Sequence, residues 1–174
     1  LSERAASLRA GVDRGAIDFA LTIDERGEIL GVDVTEVVIR VDAHLSYTLC
    51  DALIAGEAEH DLAPLVRSLS DIAEAVRSRR RRGGSITLDR RDTTVVLNAE
   101  REVEVTCWRT DDRSRRMVAE WMIASCAAAG RWCYEQDIPT FYRTQRAPDE
   151  SPRIPLDRPL RGYELARILR TMRK

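Results

Sequence analysis

The 174-residue chain is 44% hydrophobic and 33% charged, which allows one domain with a substantial core and argues against disorder. Its formal net charge is −1, yet Lys174 is the only lysine among 28 basic residues, so any basic surface is an arginine surface. Guanidinium forks suit phosphate and base stacking better than ammonium groups, although genome composition alone also produces such a bias.

The chain begins with a short helix-compatible run, "LSERAASL". "GAIDFALTID" then alternates apolar and polar residues, "ERGE" makes a turn, and "ILGVDVTEVVIRVD" alternates through Val32, Val34 and Val37. This pattern predicts a β-hairpin with strands near 16 to 23 and 29 to 41. Two helices follow. "LSYTLCDALIAG" offers Ser46 as N-cap and Gly56 as stop. "LAPLVRSLSDIAEAVRSRRRR" sets Leu62, Leu65, Val66, Leu69, Ile72 and Val76 on one face. Both are expected on one side of a sheet. A second hairpin is predicted from the alternation of Val95 with Leu97 and of Val103 with Val105.

Asp111 and Asp112 then supply helix-start chemistry. Met117, Trp121, Ala124, Ala128 and Trp132 recur at helical spacing in a long core-facing helix. Its small residues, Ala124, Ser125, Ala127, Ala128 and Ala129, permit close approach of a neighbour. Pro139 is expected to end it, and a linker bearing Pro148, Pro152, Pro155 and Pro159 leads to a final helix. No internal repeat of solenoid length is present. The fold class is α+β, antiparallel hairpins packed against helices.

Cys50, Cys107, Cys126 and Cys133 form no CxxC pair, and His44 and His60 are the only histidines, which argues against a structural zinc site and for reduced core thiols. The weakly polar run around Trp121 to Gly130 is too short to span a bilayer, and the N-terminus lacks a signal-peptide pattern. A cytoplasmic setting without membrane contact is expected.

Several residues could carry chemistry. Arg77, Arg79, Arg80, Arg81 and Arg82 crowd one helix end, where they favour the negative pole of the dipole and could bind phosphate; a solvated helix end would use them equally well. Asp89, Asp92, Asp111 and Asp112 have no spacing that requires a metal. Tyr47 follows the Ser46 cap, its ring able to pack inward and its hydroxyl to face a ligand. Glu120 falls between Val118 and Trp121; a buried position would demand a hydrogen-bonding or ionic partner, a surface position would not.

Four ordered blocks carry a resemblance: "LSERAASLRAGVDRGAIDFALTIDERGEI", "VIRVDAHLSY", "RSRRRRGGSITLDRRD" and "RRMVAEWMIASCAAAGRWCYEQDIPTFYR". In that order they resemble the catalytic (RNB) domain of the ribonuclease II and ribonuclease R family of exoribonucleases. The resemblance implies a hydrolase that shortens single-stranded RNA from its 3′ end, one nucleotide at a time. Two magnesium ions held by aspartates would clamp the attacking and leaving oxygens.

In the family those aspartates lie upstream of the "LSE" block, and a Ser-Pro-Ile-Arg-Arg motif lies downstream of the last helix. Neither stands in this chain, and "SPRIPLDR" at 151 to 158 follows "FYR" too soon to be the latter. Residues 1–174 are thus expected to be the central part of such a domain, with no catalytic or metal-binding residue of their own and no hydrolysis by the chain alone. By the resemblance, Tyr47 matches the tyrosine of the "LSY" block and Glu120 the acid of the Glu-aromatic-Met helix. Both would contact ribose near the RNA 3′ end, with Arg79, Arg80 and Arg81 as further RNA-binding residues. Cys126 replaces a usual asparagine, implying altered packing, and Leu88 replaces an aromatic of some members, implying weaker base clamping. A non-catalytic RNA-binding or interaction module derived from the same fold is the alternative, and a truncated product that self-associates a third.

Overall fold

The computed structural model describes residues 7–85, 91–98, 101–109 and 112–142. The opening run, the proline-bearing linker, the final helix, "SPRIPLDR", Leu88, Asp89 and Asp111 lie outside them. In chain order the elements are β1 (Asp13–Ile23), β2 (Ile29–Arg40), α1 (Tyr47–Ala55), α2 (Ala63–Arg82), β3 (Arg91–Leu97), β4 (Val103–Arg109) and α3 (Arg113–Glu135).

The alternating first segment forms the expected hairpin. Phe19 faces Val34 and Leu21 faces Val32 across the antiparallel pair, so these four share one half-buried face. Val37 pairs with Ala16 and therefore points to the opposite face from Val32 and Val34, correcting the expected alternation. The turn is built on Asp24, whose Oδ1 accepts the amide protons of Arg26 at 2.9 Å and Glu28 at 2.7 Å. Gly27 completes it at φ +79°, and a Cβ there would stand 2.5 Å from the Ala75 carbonyl oxygen and the Val76 nitrogen. Only glycine lets the hairpin tip rest on α2. At the open end Arg40 Nε donates to Asp13 Oδ1 at 2.6 Å, which holds the Asp13 carboxyl below its ordinary pKa.

Local signals set the ends of α1. Ser46 Oγ accepts the Leu49 amide proton at 3.2 Å, and Gly56 closes the helix in the left-handed region at φ +79°. The helices then gather on one another: α1, α2 and α3 are mutually in contact, and the first hairpin meets α3. The expectation of two helices lying on one side of a sheet is thereby corrected. Among the described residues the β-structure consists of two separate two-stranded sheets, β1 with β2 and β3 with β4, and a two-stranded ribbon is too narrow to carry two helices side by side. Leu53 is fully buried beside Cys50, Ala63 and Val66, with Leu45, Leu49, Ile54 and Ala58 around them.

Close helix approach decides which residues of α2 are interior. Ala63, Val66, Ala73 and Val76 are buried, whereas Leu65 and Ile72, expected in the core, are 55% and 38% exposed. Small side chains take the line of nearest contact and displace the large ones outward. In α3 the buried line runs Ser114, Met117, Glu120, Ala124, Ala128. Of the small-residue run only Ala124 and Ala128 lie on it; Ala127 and Cys126 are exposed. Trp121 is half-buried, its Nε1–H donating to the Leu69 carbonyl at 3.2 Å.

Both ends of α3 depart from expectation. Asp112 sits at the N-cap position without capping through its side chain. The Ser114 amide proton goes instead to Asp51 Oδ1 of α1 at 2.9 Å. The helix stops at Glu135, four residues before Pro139. Ile138 N–H bonds to the Cys133 carbonyl at 2.8 Å and Asp137 N–H to that of Tyr134 at 3.3 Å, with Asp137 at φ +53°. This is a Schellman termination with aspartate where glycine is usual. The chain then turns back, and the Tyr142 hydroxyl donates to the Gly130 carbonyl at 3.1 Å. The second hairpin forms with Val95 opposite Val105 and Leu97 opposite Val103, all four exposed.

Candidate nucleic-acid interface

Tyr47, the arginine run and Glu120 lie on α1, α2 and α3 respectively. Glu120 is only 8% exposed, so the conditional need for a partner applies, and Arg80 meets it. Arg80 Nη1 donates to Glu120 Oε2 in a salt bridge between α2 and α3. Arg80 Nη2 also donates to Ser85 Oγ at 3.0 Å. A buried carboxylate without such a partner would carry a large desolvation cost. Two of the candidate residues are thus brought into direct contact.

Arg79, Arg80, Arg81 and Arg82 form the last turn of α2, where their charge offsets the exposed carbonyl groups of the helix end. Arg79 pairs with Glu28 of the hairpin turn at 3.0 Å, with both side chains about half-exposed. Arg81 is half-buried in the same turn. Beyond them Arg79, Arg80 and Arg82 line an open basin with Gly83, Gly84 and Ser85. On the other side Arg79 and Arg80 line a cleft of about 330 Å³ between the hairpin tip, α2 and α3, floored by Ile29, Val32, Val76, Ala124 and Ala128. Arg131 also lines that cleft; Glu135, 2.7 Å away, raises its pKa further.

Tyr47 begins α1 and is 42% exposed. Its ring is not simply core: the Arg115 guanidinium lies over it, 4.4 Å from the centroid, a cation–π contact. One face of the ring is therefore covered. Arg115 was missed from sequence, although the "RSRR" run at the start of α3 was a visible signal. Ser85 gave none. Of the aspartates, Asp92 lies in β3 opposite Trp108, and Asp112 stands 4.0 Å from Arg115.

Among the described residues no three His, Cys, Asp or Glu side chains gather as a metal ion would need. The described residues therefore offer no fit for the expected magnesium pair. No described helix is long and apolar enough to cross a membrane.

Comparison with known proteins adds identity to this geometry. The RNB domain model matches residues 1–158. An uncharacterized ribonuclease of Synechocystis is 31% identical over 150 residues, spanning 82% of this chain and 21% of the relative. Ribonuclease R of Escherichia coli is 26% identical over 154 residues, spanning 85% and 19%. The structure of Mycoplasma genitalium RNase R in complex with ribose methylated single-stranded RNA superposes with a TM-score of 0.76 at 15% identity, covering 97% of this chain and 29% of that one. The chain spans about a fifth of the length of these curated relatives.

Proposed function

This chain belongs to the RNB domain family, and from that premise we propose that it is part of a 3′-to-5′ hydrolytic exoribonuclease acting on single-stranded RNA. In this reading it forms a wall of the RNA channel. Tyr47 and Glu120 contact ribose near the 3′ end, and the arginine turn at Arg79, Arg80 and Arg81 draws in the phosphates. A 2′-hydroxyl contact is what separates RNA from DNA at a given site. The observation that carries the reading is the meeting of Glu120 with the arginine turn of α2, which puts an acceptor for a ribose hydroxyl beside a positive field suited to the backbone. The magnesium ions would be held by residues other than those described, so the 174-residue chain binds RNA but does not cleave it.

The test is binding and release in one tube. Labelled oligouridylate is incubated with the chain in magnesium, and anisotropy and liberated nucleotide are both followed. Salt-sensitive binding without release is expected. Metal-dependent release of nucleotides would overturn the assignment of catalysis to other residues. Absence of binding at low salt would overturn the channel-wall reading. If binding is lost in the Arg79→Ala/Arg80→Ala/Arg81→Ala variant but shows no preference for ribose, the non-catalytic module becomes the better description.

A further inference from the structure

Arg80 differs from the arginines around it in where its hydrogen bonds go. Its guanidinium bridges two fixed points, the Glu120 carboxylate on α3 and Ser85 Oγ just past the end of α2. Ser85 is itself held, its amide proton bonded to the Arg80 carbonyl at 3.0 Å. The side chain is thus closed into a loop with its own helix end while reaching across to the next helix. Arg80 engages the Glu120 carboxylate through Oε2.

Building on the proposed reading of Glu120, we infer that Arg80 is a positioning residue for ribose selection. It fixes the Glu120 carboxylate so that Oε1 accepts a 2′-hydroxyl proton, while its charge adds to the positive field of the helix end. Three observations support this. Arg80 is less exposed than Arg79, 32% against 47% for the side chains, so it is the poorer placed of the two for a mobile polyanion. Its planar fork holds two acceptors in one fixed geometry, whereas an ammonium on a flexible stem presents rotatable donors with no preset direction. Met117 and Ala124 flank Glu120 on its buried line, and Arg80 is the group that ion-pairs with it across the helix interface.

The experiment compares binding of a uridylate decamer and its 2′-deoxy counterpart by the 174-residue chain, in EDTA, across a salt series. Five proteins are used: wild type, Glu120→Gln, Arg80→Lys, Arg79→Ala and Ser85→Ala, each checked for a wild-type melting transition. Arg80→Lys keeps the charge but loses the bridge. It is expected to lower the ribo-over-deoxy preference about 10-fold, as Glu120→Gln does, in keeping with loss of one hydrogen bond to a charged group. Its salt slope should equal that of wild type. Arg79→Ala should weaken both ligands alike and shallow the slope by about 0.7, the change for one phosphate contact on a single strand. Ser85→Ala removes the second anchor without touching charge and should lower the preference in the same direction, which keeps the inference testable should Arg80→Lys melt early.

An Arg80→Lys or Ser85→Ala protein with unaltered ribose preference, beside a Glu120→Gln protein that has lost it, would overturn the positioning role alone. A Glu120→Gln protein with full preference, or a wild type with none, would overturn the ribose reading beneath it.

Discussion

Gly27→Ala and Gly56→Ala form a matched pair, because both glycines sit at φ +79° and only one is crowded. The left-handed conformation costs an L-residue about 1–2 kcal/mol, and each variant bears that cost. At Gly56 the added methyl finds only Arg67 Nη2, at 3.9 Å, an ordinary contact with a movable group. At Gly27 it would meet backbone atoms of Ala75 and Val76 at 2.5 Å, against 3.4 Å for an ordinary contact. The hairpin tip must then withdraw from α2 by nearly an ångström, or the helix must bend. Forcing extra volume into such a site costs about a further 1–3 kcal/mol. The expected totals are about 1–2 kcal/mol for Gly56→Ala and about 2–5 kcal/mol for Gly27→Ala. Urea denaturation followed by tryptophan fluorescence measures both through the midpoint at constant m-value. Equal losses in the two variants would refute the claim that the hairpin tip rests on the α2 backbone.

Leu53→Ala, at a fully buried position, should cost about 2–5 kcal/mol by the same assay. Asp51→Ala should cost about 1 kcal/mol by uncapping α3, whereas Asp112→Ala should change stability by less than about 0.5 kcal/mol, a ranking that a pair of melts can reverse. Asp137→Gly should stabilise by about 0.5–1 kcal/mol, since glycine adopts the left-handed conformation without a Cβ. Burial raises the Cys50 thiol above its ordinary value of 9.0, so its contribution to stability is complete below pH 9 and is lost as pH rises from there toward the folded value. At pH 8 a thiol reagent should therefore modify exposed Cys126 before Cys50, and early loss of Cys50 would contradict its placement. Asp13, held down by Arg40, acts in the opposite window: its contribution is present above the ordinary value of 3.8 and fades below it, and an NMR titration of its carboxyl should show the depressed midpoint.

What could be read from sequence was what is encoded locally. The period-two runs around Phe19 and Val34, the Ser46 cap and the Gly56 stop each depend on residues within a few positions, and the structure bears them out. The errors concern partners distant along the chain. Nothing near Ala63 or Ala73 says that another helix passes close enough to make alanine interior and leave Leu65 exposed. The Glu120 partner lies 40 residues away, so the sequence could state the need for a countercharge without naming Arg80. Sequence places the end of α3 at Pro139, the strongest helix breaker nearby, because aspartate is an uncommon left-handed residue and Asp137 does not announce a Schellman turn. Family blocks single out Tyr47 and Glu120 as candidates, but the guanidinium of Arg115 over the Tyr47 ring is a tertiary fact.

The borrowed cap of α3 has a consequence for how the chain assembles. Asp51 and Ser114 are 63 residues apart, so the first turn of α3 cannot be completed by its own neighbourhood. A helix that ends on its own residues can form and dissolve alone; this one gains its final hydrogen bond only when α1 arrives. Arg115 joins the same docking event, since its platform, Tyr47, rides on α1. Amide exchange at the start of α3 would therefore report the seating of α1 rather than helix formation, and the candidate interface would exist only in molecules where that seating has occurred.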